Sequence, residues 1–232
     1  MVHPAFTVAE AAPSPPLDPR AISPAPNRIE AQAYVFLRPG SGRALASGSA
    51  LGGSQAAARI AVPFGGHFAA AARLYAPLAS RGAEAALGFD WRPVTGLPLR
   101  FSIERRQRLD AEGRSAWSAY AAGGFYTAPV PNLILDGYSQ AGFVGARRRD
   151  LFADGALRVE RRVMSGPIAV GVGGGLWGAA QPGAARLDAG PRVSVRLPLA
   201  DHAVTLAVEE RFRLAGNARP GSGAALTLAA GL

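Results

Sequence analysis

The sequence of 232 residues contains no cysteine and no lysine, and it has no long hydrophobic run. Without cysteine, a disulfide framework and thiolate chemistry are excluded. A membrane-spanning helix needs roughly 20 consecutive apolar residues, and no segment approaches that length, so an α-helical membrane protein is excluded as well. The formal charge is +9, and arginine supplies every cationic side chain other than histidine. Arginine stays ionised, and its planar guanidinium binds carboxylates, sulfates and phosphates through paired hydrogen bonds.

Hydrophobic and polar residues alternate along the chain. In the segment 188–199, Val193 and Val195 fall on one side, whereas Arg192 and Arg196 fall on the other. Alternate residues of a β-strand face the same way, so this segment predicts an amphipathic strand. Similar segments recur about twelve times, with turn residues between them. The predicted fold class is all-β: a single up-and-down antiparallel transmembrane β-barrel of about 12 strands over 28–232, after a disordered, proline-rich lead-in over 1–27.

The links between the predicted strands differ in length. Tight links follow even-numbered strands, near 64–67, 165–167 and 199–202. Links after odd-numbered strands are longer and richer in glycine, serine and arginine; they are 38–53, 76–83, 146–151, 179–187 and 215–221. Outer-membrane barrels have this asymmetry, with short periplasmic turns and longer outside loops. An even number of strands would then leave both ends of the barrel, and so the N-terminus, in the periplasm.

The composition of the two strand faces favours a barrel in a membrane. The apolar face is mostly alanine, valine, leucine and phenylalanine, which suits contact with lipid, whereas the other face carries opposed charges such as Arg100 and Glu104. A soluble β-sandwich or barrel, with its apolar face inside, is the alternative. Aromatic residues near strand ends are predicted to lie at the membrane interfaces; they are Phe36, Phe64, Phe68, Trp91, Phe125 and Phe143.

These features resemble the Gram-negative outer-membrane β-barrel proteins. The resemblance rests on the alternating strands, the alternating link lengths and the final amphipathic strand over 224–232, and it covers about residues 28–232. It implies an integral protein of the outer membrane, surrounded by membrane lipid and lipopolysaccharide and inserted by the barrel-assembly machinery. Such proteins usually end in an aromatic residue, whereas this chain ends in Leu232.

Residues 1–27 carry neither the basic nor the apolar region of a secretory signal. An exported barrel needs such a signal, so the chain is expected to start downstream of one or to be the C-terminal part of a longer polypeptide; the remaining alternative is that the protein is not exported. A proline-rich segment before a barrel is similar to the C-terminal barrels attached to periplasmic repeat domains in polysaccharide-export or phage-adsorption proteins.

Arginines on the polar strand faces are the candidate functional residues. Those predicted to line the lumen and contact anions are Arg59, Arg73, Arg92, Arg100, Arg106, Arg108, Arg158, Arg162, Arg192, Arg196, Arg211 and Arg213, with Glu104, Asp136, Glu160 and Glu209 among their acidic partners. Rings of arginine make a pore favour anions, which would suit an acidic oligosaccharide. Alternatively, these residues pair into a structural plug, because a small barrel can be filled by its own side chains.

Other features predict no further chemistry. The histidines His3, His67 and His202 lie in the lead-in and at tight turns, and no Gly-x-Ser-x-Gly motif is present. The chain is therefore expected not to be an enzyme, and no cofactor, metal or nucleic-acid partner is expected. The run Arg147–Arg149 would touch lipopolysaccharide phosphates or be a solvated loop.

The sequence thus predicts a narrow channel or an export or uptake component with an anion-favouring lumen. A non-conducting structural or surface-interaction barrel and a soluble all-β binding protein are the alternatives.

Overall fold

A computed structural model describes residues 29–40, 51–94, 96–145, 150–199 and 202–231. Twelve strands form one closed barrel in which each strand pairs antiparallel with its two neighbours in sequence order, and β1 pairs with β12. The strands are β1 (Glu30–Leu37), β2 (Gln55–Pro63), β3 (Phe68–Pro77), β4 (Glu84–Trp91), β5 (Leu99–Arg108), β6 (Ala116–Val130), β7 (Leu133–Val144), β8 (Asp150–Met164), β9 (Ala169–Gln181), β10 (Ala184–Leu199), β11 (His202–Gly216) and β12 (Gly223–Gly231). The predicted up-and-down barrel is confirmed. In the described ranges, no helix has the length and apolar character needed to cross a membrane.

Strand register brings like faces together. On one face of β10, Val193 lies opposite Val208 of β11, and on the other face Arg192 lies opposite Glu209. A shift by one residue would exchange the two faces of a strand, so the sharp contrast between them fixes this pairing. The alternation in the sequence therefore determines both the strands and their alignment.

Apolar side chains cover the outside of the barrel, and charged side chains fill its inside. Leu87 and Leu151 are 67% and 66% exposed, whereas Arg106 and Asp188 are only 2% and 0% exposed. In a protein surrounded by water the large aliphatic side chains would be buried and the charges exposed. The reverse arrangement is that of a transmembrane barrel, and it rules out the soluble alternative.

The exterior aromatic residues lie close to strand ends, with one exception. Phe64, Phe68, Trp91 and Phe125 face outward and are exposed, as predicted for membrane interfaces. Phe36 was also predicted to lie at a membrane interface, and that prediction is wrong. Its side chain is 5% exposed and packs inside the barrel with Tyr34 and Tyr75. It belongs to the inward phase of β1, and this phase outweighs its position near the strand end.

Odd-numbered strands end, and even-numbered strands begin, at one end of the barrel, called the loop end. At the opposite end, called the terminal end, β1 begins and β12 ends. The loop-end links are 38–54, 78–83, 109–115, 145–149, 182–183 and 217–222. The longer link predicted over 179–187 is wrong, because β9 and β10 continue to a two-residue turn at Pro182 and Gly183. The two strands continue through this segment, but alanine and glutamine differ little in polarity, so the alternation of the faces could not be recognised in the sequence. The predicted lead-in over 1–27 and the run Arg147–Arg149 lie outside the described residues.

Candidate functional site

The interior of the barrel has two unlike halves. The inward side chains of β2 to β6 form the packed half, in which arginines and carboxylates interdigitate. The inward side chains of β7 to β12, together with those of β1, form the open half, which contains two cavities. This division decides where a solute could be accommodated.

Buried ion pairs fill the packed half. Arg59 pairs with Asp90, which also accepts a 2.7 Å hydrogen bond from the Ser102 hydroxyl. Arg73 pairs in the same way with Glu104. These groups are almost completely shielded from solvent. Charges at such depth are stabilised only when paired, so the packed half has the character of the structural plug.

Two further arginines of the packed half are less well satisfied. Arg106 Nε lies 3.4 Å from Glu84 Oε2, without hydrogen-bond geometry. Arg100 is 6% exposed, and its Nε and Nη2 have no hydrogen-bond partner among the described residues. Arginine is therefore in excess over carboxylate even in the part of the interior that is tightly filled.

A second network crosses the open half. Arg192 of β10 pairs with both Glu160 and Glu209, and Glu209 also accepts a 2.7 Å hydrogen bond from Arg211 Nε. Nearby, Arg158 Nε donates to Asp136 Oδ1 at 2.7 Å. This layer of ion pairs, called the central layer, lies across the barrel between the two cavities.

Aromatic rings hold one arginine of the central layer. The guanidinium carbon of Arg211 lies 4.3 Å from the ring centroid of Trp177 and 4.7 Å from that of Phe36. A cation over aromatic faces is stabilised by their quadrupoles, and more so away from water. Arg211 is thereby positioned to face Glu209, and Phe36 has a role inside the barrel in place of the predicted one at the interface.

The two cavities meet at the central layer. The loop-end cavity has a volume of about 90 Å³, and the terminal-end cavity one of about 140 Å³. Arg158 and Thr227 line both. The loop-end cavity is bordered by Asp154 and Tyr138, and the terminal-end cavity by Arg162 and Arg196, among others. Together they trace an interrupted path along the open half.

Glycine in β9 creates this space. Gly171 faces inward, opposite Arg162 on β8 and Ser194 on β10. A Cβ atom at Gly171 would lie 2.6 Å from Glu160 Oε2 and 2.9 Å from Ser194 Oγ. The absence of a side chain is therefore what lets the Glu160 carboxylate occupy its place beside Arg192.

Three arginines surround one carboxylate at the loop end. Asp188 Oδ2 accepts hydrogen bonds from Arg38 Nη1 and Arg186 Nε, each at 3.0 Å, and Arg213 Nε lies 3.6 Å from Oδ1. Arg186 also donates to the carbonyl of Leu51 at 2.6 Å, and Arg38 donates to the carbonyl of Gly221. This Asp188 cluster connects two links to the wall of the barrel.

A second carboxylate joins links outside the membrane-spanning strands. Asp110 accepts backbone hydrogen bonds of 2.8 to 3.0 Å from the N–H groups of Gly82, Ala83, Glu112 and Gly113. The bond from Gly82 contributes most, and these bonds lower the pKa of Asp110 to about 2 because they stabilise the ionised form. Asp110 thereby ties the β3–β4 link to the β5–β6 link.

The predicted site residues divide into three groups by position. The buried arginines are Arg59, Arg73, Arg100, Arg106, Arg158 and Arg192. Part-buried arginines of the open half are Arg162, Arg196, Arg211 and Arg213, and Arg92 is ion-paired with Glu30. Arg108 continues the inward phase of β5 but is exposed at the end of the strand, so its place in the lumen stays a prediction. Of the acidic residues, Glu104, Glu160 and Glu209 are buried and Asp136 is part-buried. Contact of any of these residues with an anion stays a prediction.

Two residues of the Asp188 cluster were missed from the sequence. Arg38 and Arg186 fell in predicted links, although both continue the inward phase of their strands. Arg38 follows Tyr34 and Phe36 at two-residue steps, and Arg186 precedes Asp188 by two. Extending the alternation beyond the clear part of each strand would have found them. The histidines of the barrel, His67 and His202, are exposed at the terminal end.

Comparison with known proteins yields structural likeness only. No family model matches the sequence, and neither does any curated protein. The fold is similar to an outer-membrane channel from Pseudomonas putida F1, with 11% identity, a TM-score of 0.47 and coverage of 93% of this chain and 98% of that one. It is also similar to LpxR from Salmonella typhimurium, with 10% identity, a TM-score of 0.44 and coverage of 88% and 99%. The closed barrel with its apolar exterior is the architecture of a transmembrane β-barrel, and it resembles the Gram-negative outer-membrane barrels.

One expectation from the sequence is corrected by this comparison. The chain was expected not to be an enzyme, because no nucleophile motif is present. LpxR is an outer-membrane enzyme, so that expectation is wrong: a barrel of this type is compatible with catalysis.

Proposed function

We propose that this outer-membrane barrel is a narrow channel, or an export or uptake component, that passes small acidic solutes along its open half. The observation that carries the proposal is the meeting of the two cavities at Arg158 within a wall rich in arginine. Six arginines and four acidic residues line the two cavities. An excess of positive charge around a confined path favours anions over cations.

Passage through the central layer is easiest for a solute with a negative charge. Arg192 is paired with Glu160 and Glu209, and separating these groups would leave a buried charge without a partner. Such a loss costs about 3–5 kcal/mol. A carboxylate or phosphate of the solute offers Arg192 a replacement partner, so the guanidinium stays paired throughout. A cation offers the guanidinium no such exchange, because it can pair only with Glu160 or Glu209.

The lengths of the links support one orientation in the membrane. The longest link, between β1 and β2, joins strand ends at the loop end, which also carries the Asp188 cluster, whereas β1 begins and β12 ends at the terminal end. Barrels of this class place long loops outside the cell and short turns in the periplasm. We therefore propose that the terminal end, where β1 begins, faces the periplasm and that the loop end faces the exterior.

Single-channel recording in planar bilayers under a KCl gradient tests the proposal. We expect a small conductance with a reversal potential close to the chloride equilibrium potential. Glu209→Gln removes the carboxylate shared by Arg192 and Arg211, and we expect it to have a larger conductance. Asp90→Asn, in the packed half, is the matched control: it removes an equally buried carboxylate and leaves the reversal potential unchanged. A reversal potential on the potassium side contradicts the proposal.

A non-conducting barrel for structure or surface interaction is the second candidate. The observation that favours it is the occlusion of the interior: ion pairs fill the packed half, and the central layer separates the two cavities. The same recordings distinguish the two candidates. If neither the native barrel nor Glu209→Gln conducts, the channel is excluded and the second candidate stands.

A further inference from the structure

Very few charged side chains face the lipid. In the described strands, only Arg105, Arg161 and Glu210 carry an ionised group on the outward face. An outward charge in the middle of the bilayer is costly, but the cost falls toward the interfaces. Arg105 and Arg161 lie near strand ends, at opposite ends of the barrel. They therefore mark the two edges of the apolar exterior.

Arg105 has a defined aromatic neighbour. It lies on β5 at the loop end, opposite Trp117 of β6 and Leu87 of β4. Its guanidinium carbon is 5.9 Å from the ring centroid of Trp117, which is itself 53% exposed. Stacking over the indole favours the cation and leaves the donors in the guanidinium plane available. On the same strand face, Ile103 lies toward the membrane centre and Gln107 lies beyond Arg105.

Within the described residues, no carboxylate pairs with Arg105. The interior arginines, by contrast, are mostly ion-paired, and even Arg114 at the loop end pairs with Asp150. Arg105 is thus an exterior guanidinium at the depth where lipid headgroups begin. The anionic group available at that depth is the phosphate of a lipid, which a guanidinium binds through two parallel hydrogen bonds. Tryptophan at an interface also presents an indole N–H as a donor.

We propose that Arg105 and Trp117 form an exterior binding site for the phosphate group of a membrane lipid. Arg105 supplies the charge and the paired donors, and Trp117 holds the guanidinium at the edge of the apolar belt. The site is outside the barrel, so it stands whether or not the interior conducts a solute.

Arg161 provides a matched control. It is also an outward arginine near a strand end, but its cross-strand neighbours are Leu133 and Val172. A site built from arginine and tryptophan should depend on Arg105 and not on Arg161. A general attraction between lipid and positive charge would depend on both equally.

The experiment uses the full chain in detergent, titrated with phosphatidic acid or with diacylglycerol of the same acyl chains. Native mass spectrometry counts the lipid molecules that stay bound. The Trp91→Phe variant keeps Trp117 as its exposed exterior tryptophan, so a change in its fluorescence reports binding at the site. We expect the native protein and Arg161→Gln to prefer phosphatidic acid, and Arg105→Gln to bind it about tenfold less tightly, as for one lost charge-assisted contact. Trp117→Leu should weaken binding as well, and Arg105→Lys should restore part of it.

Several results would overturn the proposal. Unchanged binding by Arg105→Gln or by Trp117→Leu, or equal losses in Arg105→Gln and Arg161→Gln, would exclude a specific site. Displacement of the lipid by equimolar inorganic phosphate would show a site for the free anion, not for a lipid. Heat-modifiable mobility on gels verifies folding, and if Arg105→Gln does not fold, Arg105→Lys and Trp117→Leu decide the question.

Discussion

Arg38 and Asp188 are 150 positions apart in the sequence, and their side chains lie 3.0 Å apart at the loop end of the barrel. Arg38 directly follows β1, and Asp188 lies on β10; these strands are not adjacent, so the contact crosses the interior. Asp188 is completely buried and serves two further arginines, Arg186 and Arg213. The Asp188 carboxylate is therefore the shared counter-charge of three guanidinium groups at the loop end of the barrel.

Removal of the Asp188 charge should destabilise the barrel strongly. Asp188→Asn leaves three guanidiniums close together without their shared carboxylate, and loss of one partner of a buried ion pair costs about 3–5 kcal/mol. Unfolding by urea in detergent, followed by gel mobility, measures the loss. Asp150→Asn is the control, because the Arg114–Asp150 pair is part-exposed and should contribute no more than about 1 kcal/mol. Equal losses in the two variants would contradict the role given to Asp188.

Two glycines of β9 should differ in their tolerance of a methyl group. A Cβ at Gly173 would lie 1.9 Å from the carbonyl oxygen of Val159, so the backbone itself must move, whereas a Cβ at Gly178 meets only a side-chain carbon of Leu187 at 3.8 Å. We expect Gly173→Ala to lose about 1–3 kcal/mol of unfolding free energy and Gly178→Ala to lose little. Thermal gel-shift curves for the two variants measure this. Similar midpoints would show that the strands are further apart than described.

Acid should weaken the connection between two loop-end links through Asp110. The pKa of Asp110, about 2, lies below the usual value of about 3.9 for aspartate, so the ionised carboxylate stabilises the folded state. That contribution is complete above about pH 4 and disappears as the pH falls toward 2. The thermal midpoint of the native protein should exceed that of Asp110→Asn near neutral pH, with the gap closing over this range. A gap that does not change with pH would refute the assignment.

The three tryptophans should report which face of the barrel meets lipid. Trp91 and Trp117 are exposed on the exterior, whereas Trp177 is 7% exposed inside. In vesicles with brominated acyl chains, the native protein should be strongly quenched. The double variant Trp91→Phe/Trp117→Phe retains only Trp177, and its emission should be quenched several-fold less. Strong quenching of this variant would place Trp177 in lipid and reverse the assignment of the two faces.

The alternation along strands made the architecture predictable, and its weak stretches mark where prediction failed. Val193 is apolar and its neighbour Arg192 is charged, so only one orientation of β10 puts each on a suitable face. The strand, its outward face and its register can therefore be predicted together. In 179–187, alanine and glutamine give little contrast, and a link was predicted where two strands continue. Phe36 shows a conflict between two rules, in which strand phase prevails over the tendency of aromatic residues to lie at interfaces.

The arrangement of the interior could not be derived in the same way. Alternation shows that Arg192 and Glu209 face inward, but it does not show which arginine meets which carboxylate. The Arg38–Asp188 contact depends on how far β1 and β10 are offset around the closed barrel. The cavities depend on Gly171 and its neighbours, because missing side chains leave space only in relation to what surrounds them.

The pairing of β1 with β12, from Gln32 with Gly231 to Leu37 with Leu226, is the seam that completes the cylinder. Until it forms, two strand edges present unpaired peptide groups to hydrocarbon, where no water can satisfy them. Insertion cannot proceed hairpin by hairpin to a stable partial product, so deletion of the last strand should abolish the protein rather than shorten it.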